Sequence, residues 1–191
     1  MVAPRSASRF FPFFVVATFL CLLSACSGDD RLAVCPRVGV LYDAEHVTNF
    51  APGQPKTTQS VTYDAEIFSP TIKCDYDEDV VTSDIEVTFD VLRGPMGRPG
   101  KKEFRYFVAV TELNQTVLQK KYYTVDVDFD DDQRRAAEKA EVNNIKVNYS
   151  RLGRADLYEI LVGWDLTPEE LAYNRNTSPF DRPNMRRVRR P

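Results

Sequence analysis

The sequence predicts an all-β fold, an antiparallel sandwich of seven to eight strands followed by a short C-terminal helix. Three observations carry this expectation. Apolar residues recur at every second position in five separate stretches, turn residues separate those stretches at near-regular spacing, and a complete helix-start signature follows the last of them.

Taken in order, residues 38–42 read as a first strand, and residues 49–59, with Pro52, Gly53 and Pro55, read as a loop. Val61-Thr62-Tyr63-Asp64-Ala65-Glu66-Ile67 then places apolar side chains at odd positions and mostly polar ones at even positions, the pattern of a strand with one buried face. Ile85-Glu86-Val87-Thr88-Phe89-Asp90-Val91 repeats it. So do Tyr106, Val108 and Val110; Tyr123, Val125, Val127 and Phe129; and Tyr158, Ile160, Val162 and Trp164. Turn signals lie between them at 93–100, with three glycines and two prolines, and at Leu113-Asn114-Gln115.

Residues 131–142 resist this scheme. They are rich in helix formers, from Gln133 to Glu141, but offer no broad apolar stripe for a helix to bury. An extended edge segment running into Ile145-Lys146-Val147-Asn148-Tyr149 is expected instead. After the last strand, Thr167 can cap a helix, Pro168 fits its first position, and Glu170 can reach back to the cap. That helix should end near Asn174 or Arg175, with Leu171 and Tyr173 covering one end of the sandwich. From residue 176 the chain is poor in apolar residues and broken by prolines, the composition of a disordered tail.

Trp164 and Tyr158 are expected in the core. In antibody domains the tryptophan lies between two cysteines and packs on their disulfide. Here it follows both Cys35 and Cys74 by many residues, so the sandwich is expected to be closer to a fibronectin-like or other immunoglobulin-like module.

The first 25 residues have three parts: a start carrying Arg5 and Arg9 with no acid, an apolar run at 10–23, and small residues before Cys26. That is the layout of an export signal. A spanning helix needs about 20 apolar residues, which this interrupted run does not supply. Leu23-Ser24-Ala25-Cys26 resembles the lipobox of bacterial lipoproteins. The resemblance implies diacylglycerol on the Cys26 thiol and cleavage before that residue, giving a membrane-anchored chain. Two or more acyl chains hold stably where one does not. Ser27, in place of an aspartate, resembles the outer-membrane class facing the periplasm. The expected organisation is a lipoprotein signal at 1–25, a tether at 26–36, the sandwich at 37–175 and a basic tail at 176–191.

Cleavage there would remove two of the 25 basic residues and none of the 28 acidic ones, leaving a net charge near −5. Such a balance argues against a nucleic-acid binder, which would show a basic face. Cys35 and Cys74 remain as an even pair in an oxidising compartment, where a disulfide is the expectation. Closing a loop of about 39 residues stabilises the fold by roughly 3 to 4 kcal/mol on the chain-entropy estimate.

Candidate chemistry is sparse. Asp126, Asp128, Asp130, Asp131 and Asp132 begin like a calcium loop, but glycine at Asp131 and glutamate at Ala137 are missing. Their alternation follows from Val125, Val127 and Phe129 facing the core. His46 is the single histidine, and neither a Gly-x-Ser-x-Gly nor a His-Glu-x-x-His pattern occurs. No cofactor and no metal site is expected. Arg182, Arg186, Arg187, Arg189 and Arg190 put five guanidinium groups in the last ten residues, suited to polyanions or to an acidic protein face, or simply to solubility.

Cys35-Pro36, the Arg93-Gly94-Pro95 turn, Phe107-Val108-Ala109-Val110 and the ending from Ile160 to Arg175 are similar to a group of small proteobacterial envelope lipoproteins without assigned activity. The resemblance supports the envelope address and transfers no mechanism. The functional expectation is a non-catalytic adaptor or structural subunit that binds envelope proteins. A glycan-binding module using Tyr122, Tyr76 or Tyr173 is the second reading, and a hydrolase with paired carboxylates such as Asp75 and Asp77 the third.

Overall fold

The computed structural model describes residues 34–68, 70–150 and 152–177. The signal segment, Cys26 and the arginines at 182, 186, 187, 189 and 190 lie outside the described residues.

Nine strands form: β1 (Arg37–Val40), β2 (His46–Phe50), β3 (Val61–Ile67), β4 (Thr71–Asp77), β5 (Val80–Arg93), β6 (Gly100–Glu112), β7 (Thr116–Phe129), β8 (Arg135–Asn148) and β9 (Tyr158–Trp164). One helix, α1 (Pro168–Asn176), follows them. The first sheet has the order β1-β9-β6-β7, and the second joins β2, β3, β5 and β4, with β8 also paired to β5. The expected sandwich is therefore what forms, with nine strands among the described residues rather than seven to eight. Its pairs are antiparallel apart from β1 with β9, which run parallel.

The two uncounted strands have separate causes. β2 runs into the proline-rich loop, so the loop signal masked it. β4 continues β3 along the same edge of β5, β3 pairing with residues 89–93 and β4 with 80–86. Between them the Phe68 amide still donates to the Thr88 carbonyl at 2.9 Å. Pro70 has no N–H to offer the ladder.

The residues 131–142 that read as helix formers become β8 from Arg135 onward, paired with β5 along its length. Ala136 and Val142 face the core there, so burial against β5 overrides propensity. A register shift near Asn144, whose backbone sits at φ 61°, bends the strand; the Asn144 amide donates to the Asp84 carboxylate at 2.8 Å.

Side chains from both sheets meet in one core. Trp164, Phe89 and Phe104 cluster at its centre, with ring centroids 5.1 Å apart for Phe89–Trp164 and 5.6 Å for Phe104–Trp164. Cys35 and Cys74 are disulfide-bonded, with Cα atoms 5.9 Å apart, and tie the edge of the first sheet beside β1 to β4 of the second. The glycine of the Arg93–Gly94 turn is required by close approach: a Cβ there would lie 2.3 Å from the Val61 carbonyl oxygen.

The helix starts as its sequence predicts. The Glu170 amide donates to the Thr167 hydroxyl at 3.2 Å, and the Thr167 amide donates back to the Glu170 carboxylate at 2.8 Å. It runs to Asn176, past the expected end at Asn174 or Arg175.

Candidate functional site

The β6–β7 hairpin carries four of the eight large apolar side chains exposed among the described residues: Leu113, Val117, Leu118 and Tyr122. Its turn runs through Leu113 and Asn114, both at positive φ (51° and 54°), and the Gln115 amide closes on the Glu112 carbonyl at 3.0 Å. Two left-handed residues in a row are what a tight hairpin turn needs, and asparagine or glycine normally supplies them. A branched leucine in that conformation costs about 1–2 kcal/mol. Leu113 nevertheless stands there with half of its surface in solvent.

Two residues beyond the turn the β6–β7 register shifts, so that Val110 faces Gln119 while Thr111 faces Val117, leaving Leu118 as the extra residue. The bulge breaks the alternation and exposes both neighbours, Val117 at 60% and Leu118 at 50%. Further along, Tyr122 lies across from Phe107 on the outward face of the sheet. The Lys120 ammonium sits 3.9 Å from the Phe107 ring centroid, and the Arg105 guanidinium 4.5 Å from that of Tyr122. Phe107 is itself buried against Ala44 and Ala109. The hairpin thus presents an apolar tip followed by a cation–aromatic strip.

A second surface lies at the end of the sandwich where α1 docks. A cleft of about 800 Å³ is bounded by β2, the loop after it, the 94–99 turn and the first turns of α1. Lys56, Arg98 and Lys102 line it together with Phe50, Tyr63 and Tyr173. Phe50 and Tyr173 meet edge to face at 5.3 Å, and the Tyr63 hydroxyl donates to the Arg98 carbonyl at 2.7 Å. Asn49 donates to Glu170 at 3.1 Å, which fastens the strand wall to the helix wall.

The residues singled out by sequence fall in different places. Of the three tyrosines, Tyr122 is exposed on β7, Tyr173 lines the cleft, and Tyr76 turns half-buried into the core side of β4. Burial, with Tyr149 nearby, pushes the Tyr76 phenol above its ordinary pKa. Asp75 and Asp77 are exposed on β4, and neither lines the cleft. Asp126 and Asp128 point outward from β7 as their alternation implies, Asp126 pairing with Lys101 at 2.8 Å. His46 is buried, its Nε2 3.4 Å from Glu45 and 3.6 Å from Glu66. Among the described residues no three His, Cys, Asp or Glu side chains group as metal ligands, and no helix is long and apolar enough to cross a membrane.

Sequence reasoning missed the hairpin tip. The available signal was the adjacent pair Val117-Leu118, which breaks the period-two pattern beside a turn. The cleft had no such signal, because it is assembled from segments as far apart as Thr48 and Tyr173.

No family model matches the chain, and no curated protein matches it. Among solved structures, the crystal structure of a DUF1425 family member from Shewanella sp. pv-4 is similar at a TM-score of 0.29 and 8% identity, covering 68% of this chain and 96% of that one.

Proposed function

We propose that the protein is a non-catalytic bacterial envelope lipoprotein, held by lipid on Cys26 at the outer membrane facing the periplasm, and that it acts as an adaptor for other envelope proteins. One observation supports the adaptor role above the others. Leu113 is kept in a backbone conformation unfavourable to it and is exposed at the hairpin tip, beside exposed Val117 and Leu118. Neither stability nor solubility accounts for a leucine there, whereas an apolar anchor entering a partner's pocket does.

In-cell crosslinking followed by mass spectrometry tests this, with the wild type run beside Leu118→Glu and Cys26→Ala. A small, reproducible set of envelope proteins captured by the wild type and lost from both variants is the expected result. Capture unchanged by Leu118→Glu removes the tip from the account. The arginine tail is assigned a supporting role toward an acidic face or lipid phosphates. Deleting residues 182–191 should weaken capture without moving the melting temperature.

The cleft favours a second reading, a glycan-binding module, because it combines aromatic side chains with polar and cationic ones at one opening. Binding on a glycan array that Tyr173→Ala abolishes would support it. An array without signal would dispose of it.

A further inference from the structure

The strand β7 carries its charge in two blocks. On its outward face, Lys120 lies in the first half and Asp126 and Asp128 in the second. Only β6 pairs with it among the described residues; β8 of the other sheet comes close to it but forms no ladder, so the other edge of β7 keeps backbone donors and acceptors that no strand has taken up. The remaining edges differ. β1, β2 and β4 have four, five and seven residues; β8 is as long as β7 but carries its bulge in mid-strand near Asn144, where that of β7 lies at its turn end, and its charges alternate in sign through Glu138, Lys139 and Glu141.

A strand that is cationic at one end and anionic at the other is complementary to its own antiparallel copy. A two-fold axis normal to the sheet keeps outward residues outward, so opposed residues must have the same parity. With the axis at Thr124, Lys120 lies opposite Asp128 of the second copy and Tyr122 opposite its Asp126, each contact occurring twice. Lysine on an edge strand ordinarily discourages pairing. In this register it is matched to a carboxylate.

We infer that the chain forms a two-fold dimer in which β7 pairs antiparallel with β7 of a second copy, merging two four-stranded sheets into one of eight strands. This goes beyond the adaptor reading and stands independently of it. In the Thr124-centred register Leu118 falls opposite residue 130, past the end of the partner's β7, so the apolar tip remains outside the pairing.

The test is sedimentation equilibrium of the full chain in detergent, comparing wild type, Lys120→Asp, Asp128→Lys and the double exchange. Both positions are exposed, and unchanged melting temperatures confirm that the variants fold. Each single reversal sets two pairs of like charges face to face, and should weaken association about tenfold to a hundredfold. The double exchange should restore it. Thr124→Cys should crosslink to its own copy under mild oxidation, since opposed Cα atoms about 4.5–5.5 Å apart lie within disulfide reach. A monomeric wild type, a double exchange that does not restore association, or a dimer in which Thr124→Cys fails to crosslink would each overturn the inference.

Discussion

The side-chain amide of Asn174 donates to the backbone carbonyl of His46 at 2.7 Å, joining the last turn of the helix to the first residue of β2 across 128 positions of sequence. The same nitrogen donates to the Asp43 carbonyl at 2.9 Å. Asn174 is buried, so this one amide serves two carbonyls of the chain turn at 42–46 away from water. Replacing it by alanine should cost about 1–3 kcal/mol. In a chain of this size that lowers the melting temperature by roughly 3–10 °C, to be read by thermal denaturation. The neighbouring ion pair, Arg175 with Asp43 at 2.7 Å, is exposed, and Arg175→Ala should change stability by less than about 0.5 kcal/mol.

Leu113 offers a separation of stability from function. Glycine adopts the left-handed region without the steric cost that leucine bears, although it loses more conformational freedom on folding. Leu113→Gly should therefore leave the fold as stable or raise it by up to about 1 kcal/mol. Partner capture in the crosslinking experiment should fall at the same time. A variant that loses stability would show that Leu113 is held by packing, contrary to its exposure.

How far the sequence announced this molecule depends on how local each feature is. The period-two stretches around Ile85, Tyr106, Tyr123 and Tyr158 became strands because alternation is the direct imprint of a sheet with one buried face. The capping pattern at Thr167 is equally local and was legible to the residue. The segment at 131–142 was legible only by weighing its missing apolar stripe against its helix propensity; pairing with β5 settled the contest. By contrast, the tip depends on a one-residue slip at Leu118, and the parallel β1–β9 pair and the cleft depend on how distant segments meet. Those are properties of tertiary assembly, which no window of neighbouring residues records.

The hydroxyl of Thr111 is buried beside the hairpin and has no hydrogen-bond partner among the described residues. Desolvating a hydroxyl without a partner costs about 1–3 kcal/mol, and valine has nearly the same shape without that group. Thr111→Val should accordingly stabilise the protein by about 1 kcal/mol, or roughly 2–4 °C in melting temperature. A destabilised variant would mean that the hydroxyl is in fact satisfied.

The core tyrosines set an alkaline limit on stability. Burial pushes the Tyr106 phenol from its ordinary 10.0 up to about 12, with Tyr123 at its side adding to the effect. Burial also raises Tyr123 itself. The two rings stack with centroids 5.5 Å apart, so a phenolate on either would be poorly solvated. Raised folded-state values mean that the unfolded chain gives up these protons first. Below pH 10 both states hold them, and the tyrosines make stability independent of pH. Between pH 10 and about 12 the unfolded state binds fewer protons, so stability must fall as pH rises. Denaturant midpoints measured from pH 9 to 12 should decline over that window. Tyr106→Phe, which removes the largest of these titrations, should flatten the decline, and its absorbance titration should lose the component that ionises last. An equal decline in the variant would mean that Tyr106 ionises as an ordinary surface phenol.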